Sequence, residues 1–477
     1  MNSKFYVTTS IAYTNAPPHI GFALELIQAD VLARHNREKG KETFFLTGTD
    51  EHGQKIAKKA KEEGKKPQDF VDEIVDDFHE LIDQLNISND DFIRTTDKEK
   101  HWPTVQLLWK KLEENGDLYK KKYSGYYCVG CEAFLTEKDL VDGVCPNHDE
   151  KPEEVEEENY FFKLSEYEDE IKKLISEDSL RVIPEGRKKE ILSFLKEGLE
   201  DVSVSRSREK LEWGIPVPGD EDQRMYVWVD ALSNYISALG YADDDDKFKK
   251  FWPADVHCIG KDILRFHSVI WIGLLLSAGL EIPKNIFVHG FITSEGKKMS
   301  KSLGNVVDPF ELLKEYGTDP VRYYLLSAIP PTGDGDFTLE KFKDKYNADL
   351  ADGLGNLVSR TIGLAQKKGV EFDKDRSAGA EIMKRVSKAK KETEKLLSRY
   401  EYKKSLKEIW DLIHFMDRYI EKKKPWEESW EQEKIIFEML YACYQIHELL
   451  IPFLPETAKK VKTQIENCEK EILFQKI

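Results

Sequence analysis

The sequence lacks most of what would mark a secreted, membrane-spanning or disordered chain. It has only 6 cysteines in 477 residues, too few for a disulfide scaffold and in keeping with a reducing cytosol. Its longest apolar stretch, about Val269 to Leu280, is too short to span a bilayer and contains Gly273 and Gly279. The N-terminus, MNSKFYVTTS, has neither the basic-then-apolar layout of a signal peptide nor the Arg- and Ser-rich character of a transit peptide. No internal repeat or low-complexity linker interrupts the chain. An excess of positive charge is missing too. Against 72 Lys and Arg stand 89 Asp and Glu, a net charge of −17, which excludes a uniformly basic nucleic-acid binder. These absences predict a cytoplasmic protein without a membrane partner.

What is present points to packed domains. Hydrophobic residues make up 40% and aromatics 11% of the chain, enough for real cores. The length suits about three domains at roughly 150 residues each. Charge is uneven: Lys341 to Ile477 holds 28 basic and 24 acidic residues, whereas the first 340 residues hold 44 and 65. The C-terminal part is therefore the better candidate for a polyanionic partner.

Lys4–Thr9 reads as a buried strand, about Gly21 to Glu38 as a helix, and Thr43–Leu46 as a second strand. That succession is a βαβ unit and implies a parallel sheet. From Glu51 to about Gly116 the pattern is mostly helical. Tyr123–Cys131 is strand-like, and the acidic run Glu153–Glu158 reads as a solvated loop or strand edge. The α/β pattern resumes with expected strands at Met225–Val229, Asp255–Ile259 and Asn285–His289. From Phe342 onward, heptad-like apolar spacing without strands reads as an antiparallel helical bundle.

Three motifs carry chemistry. Pro18-His19-Ile20-Gly21-Phe22 sits in the turn between the first strand and its helix. There a glycine permits close backbone approach, a histidine can donate to a phosphate, and the helix terminus attracts anions. Lys297-Lys298-Met299-Ser300-Lys301-Ser302 lies between Gly296 and Gly304 and makes a cationic loop suited to a triphosphate. Together, in this order, the two motifs resemble the signature pair of the class I aminoacyl-tRNA synthetases. The segments VTTSIAYTNAPPHIG, FFLTGTDEHG, YVWVDALSNY, HCIGKDILRFHS and FVHGFITSEGKKMSKSLGN are similar to the methionine-specific branch, and the likeness covers essentially the whole length. The third motif, Cys128-x2-Cys131 and Cys145-x2-His148, has the spacing of a structural tetrahedral zinc site. It also matches the zinc knuckle of that family's connective domain, so one zinc is expected.

The resemblance implies an α/β fold with a Rossmann-type parallel-sheet catalytic domain, split by an inserted zinc-knuckle domain and followed by an all-α helical bundle. The expected segments are 1–115 and 225–293 for the two halves of the catalytic domain, and 116–224 for the insertion. Residues 294–341 would form the KMSKS loop and stem-contact region, and 342–477 the anticodon-binding bundle. It implies a methionine–tRNA ligase, working through a methionyl-adenylate for translation initiation and elongation. No protein nucleophile is required, so catalysis is positioning plus charge stabilisation. ATP would be handled by His19, Gly21, Gly260, Asp262, Lys298 and Lys301, with Mg²⁺; His19, Lys298 and Lys301 would act in the transition state. Methionine would meet Ser10, Ile11, Tyr13, Asp50, Trp228, Ala231, Leu232, Tyr235, Ile263 and His267. Aromatic edges suit its thioether, and Asp50 offers a counter-charge to its ammonium. Asn356, Arg360 and Trp426, the last following Pro425 at an expected helix start, match positions that read the anticodon of tRNA(Met), initiator included.

Three departures from the family pattern stand out: Phe22 where a histidine is usual, Leu232 in place of a proline, and Ser10 at the pocket wall. A related small nucleotidyltransferase would lack the insertion and the bundle. The isoleucine, valine and leucine enzymes carry a larger insertion, and the cysteine enzyme uses zinc in its main site. A zinc-ribbon protein that binds nucleic acid without catalysis remains as the non-enzymatic alternative. With no appended oligonucleotide-binding domain in view, a monomer is expected.

Overall fold

The computed structural model describes residues 3–130, 133–135, 137, 140–146, 150–299 and 305–477. Contacts divide the chain into two units. One comprises Met1–Pro18, Gly40–Glu80 and Asn89–Val288; the other comprises His19–Lys39, Leu81–Ser88 and His289–Ile477.

The first unit is built on a seven-stranded sheet. Its order is Ala12–Tyr13, Glu42–Asp50, Lys4–Thr9, Val256–Gly260, Asn285–His289 and Arg181–Ile183, with Asp91–Arg94 also paired to Glu42–Asp50. Lys4–Thr9 runs parallel to both neighbours, in register Thr8↔Leu46 and Val7↔Val256. The central strands are near-continuous apolar runs because both faces are covered; Tyr6, Val7, Phe45, Leu46, Val256 and Ile259 are all buried. The strand ends Ser10, Asp50 and Gly260 follow from this parallel arrangement, since carboxyl ends collect on one edge of the sheet.

The structure corrects several sequence expectations. Met225–Val229 is not a strand of the parallel sheet. Asp220–Met225 pairs antiparallel with Ser205–Ser207 and Pro216–Val217, and the chain then turns into the helix Val227–Leu232. A short apolar run does not by itself separate a buried strand from a buried helical turn. Arg181–Ile183 lies within the expected insertion yet extends the parallel sheet beside Asn285–Phe287. The largely helical stretch after Glu51 also contains the strand Asp91–Arg94. The acidic run belongs to a strand, Glu153–Phe162, paired antiparallel with Leu118–Cys128. Its residues alternate between exposure and burial, and buried Glu157 accepts from Arg206 Nε and Nη2 at 3.0 and 2.7 Å.

The second unit is helical. The helix Ile20–Glu38 belongs to it, as do Pro309–Tyr316, Thr318–Ser327, Asn356–Lys368, Ala380–Leu397, Tyr402–Lys423, Gln432–Leu450 and Pro455–Asn467. Tyr402–Lys423 shows why: Leu406, Ile409, Ile413, Met416 and Ile420 recur at three- and four-residue spacing and are buried. No strand follows Phe342 among the described residues. Among them no helix is long and apolar enough to cross a membrane.

One ion pair ties this unit internally. Arg322 is fully buried; its Nη2 donates to Asp30 Oδ2 at 2.7 Å and to Pro452 O at 3.2 Å. Its Nε donates to Phe453 O at 2.8 Å and its Nη1 to Leu85 O at 3.1 Å. Burial alone would raise the Asp30 carboxyl, but Arg322, Arg34 and the Ser88 hydrogen bond hold it below the usual carboxylate range. Its stabilising charge is therefore complete above pH ~3.9 and is lost only as pH falls through the depressed value. Arg322→Ala, which strands the carboxylate, is expected to lower stability by about 3–5 kcal/mol in urea unfolding at pH 7.

Candidate active site

The first unit gathers aromatic side chains near the carboxyl end of its sheet. Ser10 continues the first strand, its N–H donating to Cys258 O at 2.9 Å. Ile11 and Ile263 are half-buried against the core, and Ala231 and Leu232 are buried in the helix Val227–Leu232. Tyr13 packs on the small cluster around Ile56 and Phe70. Trp228, half-buried, stacks on Phe266 with ring centroids 3.8 Å apart and 9° between planes.

A π-helical turn, Phe266–Ile270, delivers Phe266 and His267 together; such one-turn irregularities recur at functional sites. The Nδ1 of His267 lies 3.0 Å from Ile263 O and its Nε2 lies 2.8 Å from Tyr235 Oη. The carbonyl can only accept, so the ring proton sits on Nδ1, and Nε2 accepts from the tyrosine. Burial pushes His267 down to about 4, so it stays neutral near pH 7. Tyr235 is also stacked on His257 at 4.1 Å. His257 is itself held well below its ordinary value, first by burial and then by His267.

The phosphate motifs lie in the second unit. His19 caps Ile20–Glu38, its Nδ1 accepting from Gly21 N at 3.0 Å and Phe22 N at 3.3 Å. This leaves the ring proton on Nε2, the atom suited to donate to a phosphate oxygen. A Cβ at Gly21 would lie 2.9 Å from the His19 ring, so the glycine is what lets the cap form. Phe22 is buried, at 8% exposure.

The cationic loop starts from a hairpin. Ile292–Ser294 pairs with Lys297–Lys298, and both linking residues, Glu295 and Gly296, have positive φ, 53° and 73°, as a tight two-residue turn requires. Asp336 anchors it by accepting from Gly296 N at 2.7 Å and Thr293 Oγ1 at 2.9 Å. The Gly296 bond chiefly holds the Asp336 carboxyl below its ordinary value. Lys301 and the Lys298 side chain lie outside the described residues, whereas Gly260 and Asp262 end the strand and begin the short turn after Val256–Gly260.

In the bundle, Asn356 opens a helix and Arg360 stands one turn later. The Arg360 guanidinium lies 5.8 Å from the Trp426 ring and donates to Glu421 at 2.8 Å. Trp426 is not at a helix start, as the sequence suggested. The preceding helix ends at Lys423, Lys424 adopts positive φ, and Pro425-Trp426 form a turn that leaves the indole 45% exposed. The following helix begins only at Gln432.

Of the expected zinc ligands, Cys128 ends the strand Leu118–Cys128 and Cys145 follows the small Val141↔Val144 bridge. Both are buried, and Cys145 N donates to Glu150 O at 2.9 Å. Two buried soft donors suit zinc. Cys131 and His148 lie outside the described residues, and no group of three or more metal-ligating side chains occurs among those described.

A family described as tRNA synthetases class I (M) matches residues 5–154 and 138–362. The chain belongs to this family. It is 46% identical to a Clostridium acetobutylicum methionine–tRNA ligase, over 97% of this chain and 73% of that one. It is 42% identical to the Brucella melitensis ligase, over 96% and 91%. Its structure is similar to that of Mycobacterium tuberculosis methionyl-tRNA synthetase in complex with methionyl-adenylate, with TM-score 0.92 and 36% identity over 99% of each chain.

Within this synthetase the sequence reading passed over the polar shell beneath the pocket. Glu51, directly after Asp50, is buried and accepts from Arg94 Nε and Nη2 at 2.7 and 2.8 Å, Thr49 at 2.6 Å and Thr96 at 2.5 Å. Next, His52 reaches Asp230. Both residues stood in segments already singled out, DEHG and YVWVDALSNY, and two adjacent charged or titratable residues beside a ligand-facing one were the available signal. Gly21→Ala is expected to push the His19 ring off the helix terminus. It should slow ATP–pyrophosphate exchange on the order of 100- to 1,000-fold, the cost of one lost transition-state donor, while the unfolding midpoint stays nearly unchanged.

Proposed function

We propose that this synthetase joins methionine to ATP and passes the methionyl group to tRNA(Met), the initiator included. The observation that carries the reading is the pocket in which Tyr235 is committed to a neutral His267 beside the stacked Trp228. Its walls are aromatic and aliphatic and uncharged at neutral pH, which suits a thioether. Asp50, at the end of its strand, supplies the counter-charge for the α-ammonium.

In the first step the methionine carboxylate attacks the α-phosphorus of ATP, the α–β phosphoanhydride bond breaks, and pyrophosphate leaves with its electrons. In the second, the 2′-OH of the terminal adenosine attacks the adenylate carbonyl and AMP leaves. His19 Nε2–H and the helix N-terminus it caps hold phosphate oxygens, and Lys298 and Lys301 neutralise charge as pyrophosphate departs. Asp262 holds the ribose. Mg²⁺ accompanying ATP would supply further charge neutralisation on the phosphates. Phe22 removes one donor of the usual motif, and the work falls on His19 and the loop lysines. Zinc, held by Cys128, Cys131, Cys145 and His148, is structural in this reading, and the chain acts as a monomer.

The anticodon is read by Asn356, Arg360 and Trp426, where a half-exposed indole offers a stacking surface and the guanidinium a donor to base edges. Trp426→Ala should weaken tRNA binding about 5- to 100-fold, leaving pyrophosphate exchange without tRNA unchanged; filter binding and exchange assays read the two.

Methionine-dependent ATP–pyrophosphate exchange tests the central claim, with cysteine, isoleucine and leucine run in parallel and bound zinc measured on the same sample. Exchange with methionine alone, on protein holding one zinc per chain, is expected. Zinc-loaded, folded protein that exchanges with none of them would leave a tRNA-binding protein without catalysis.

A further inference from the structure

Beneath the methionine pocket, a buried carboxylate is held by two imidazoles. Asp230 is 1% exposed. Its Oδ2 accepts from His52 Nδ1 at 2.6 Å and its Oδ1 from His101 Nε2 at 2.7 Å. Both histidines are buried. His101 Nδ1 lies 2.8 Å from Ser237 Oγ, and that hydroxyl in turn donates to Asn234 O at 3.2 Å. His101 is thus held at both ring nitrogens, by Asp230 on one side and by Ser237 on the other. Burial alone would raise the Asp230 carboxyl, but His52 and His101 hold it below its ordinary value.

The clamp joins two segments that line the pocket from different parts of the sequence. His52 stands two residues beyond Asp50, and Asp230 stands two residues beyond Trp228. On one side the Asp50 segment is pinned through Glu51, whose N–H donates to Thr95 Oγ1 at 2.9 Å and whose C=O accepts from Trp213 Nε1 at 2.6 Å. The His52 ring packs against that same Trp213, with centroids 5.3 Å apart. On the other side Asp230 lies in the helix Val227–Leu232 with Trp228, Ala231 and Leu232. The His52–Asp230 bond thus sets the Asp50 carboxylate in register with the aromatic wall.

We infer that Asp230, with His52 and His101, is a positioning residue that makes the pocket select an amino acid bearing a free α-ammonium rather than any thioether acid of the same length. The inference rests on the methionine reading above and adds the group that enforces its amino-acid specificity. It acts through Asp50 and touches no substrate atom.

The test compares KM for methionine with the inhibition constant of 4-(methylthio)butanoate, the same molecule without its amino group, in pyrophosphate exchange. His52→Leu removes the donor; His52→Asn keeps an amide N–H near the place of Nδ1. Asp230→Asn presents an amide N–H to one of two imidazole donors and serves as a third variant if it folds, as judged by thermal melting. His52→Leu is expected to raise KM for methionine on the order of 10- to 100-fold, the effect of one lost charge-assisted hydrogen bond. The inhibition constant of the deaminated analogue and KM for ATP should move less than about threefold, and His52→Asn should restore most of the preference. Equal losses for methionine and its deaminated analogue would reduce the clamp to ordinary pocket packing and overturn the inference. Unchanged preference in His52→Leu would overturn it as well. Absence of methionine exchange by the unmodified protein would instead remove the reading beneath it.

Discussion

Buried carboxylates organise both units, and each is bound by the rule that a charge removed from water must meet its partner there. Asp30 is met by Arg322 and Arg34, Glu51 by Arg94, Asp230 by His52 and His101, Glu25 by His289, and Glu157 by Arg206. Most of these pairs join segments far apart in sequence, so each fixes a register that apolar packing alone would leave adjustable. Around the pocket the consequence is direct. Glu51, His52 and Asp230 all lie within two residues of positions assigned to methionine in the proposed reading, and their pairs hold those segments.

In the function proposed above, the two units divide the chemistry between them. Every residue assigned to methionine falls in the first unit, and the HIGF and KMSKS motifs fall in the second. The first brings an aromatic cluster to the carboxyl edge of a parallel sheet, and the second a histidine-capped helix terminus and a lysine-bearing hairpin. The helix Ile20–Glu38 follows the strands Lys4–Thr9 and Ala12–Tyr13 in sequence yet belongs with the unit that bears the lysine loop.

Much of this was legible in the residues. Lys4–Thr9 and Asn285–His289 were found as strands to the residue because β-branched and aromatic runs bounded by polar residues leave little choice. The two phosphate motifs stood out by order and spacing, whereas the aromatics assigned to methionine came from the family resemblance alone. Met225–Val229 was not, because MYVWV is as apolar as a strand and its helical turn is set by tertiary packing. Trp426 was misplaced because a Pro-Trp step suits a turn as well as a helix start, and positive φ at Lys424 decides between them. The residues of the shell of Glu51, His52, His101 and Asp230 could be noticed singly, but their pairing could not. Nothing in a sequence pairs position 52 with position 230, and a buried histidine has no period that betrays it.

The π-helical turn at Phe266–Ile270 has a consequence for how this chain can change length. Its wide turn closes through Trp271 N donating to Phe266 O, one residue more than an α-helical turn holds. Loss of a single residue there would let the backbone relax to the ordinary helix at little energetic cost. The flanking turns would keep their register, so the loss would fall on the bulge itself, which sets Phe266 on Trp228 and His267 on Tyr235 ahead of the helix Trp271–Ser277. A deletion that the fold accepts easily is here one that the pocket does not.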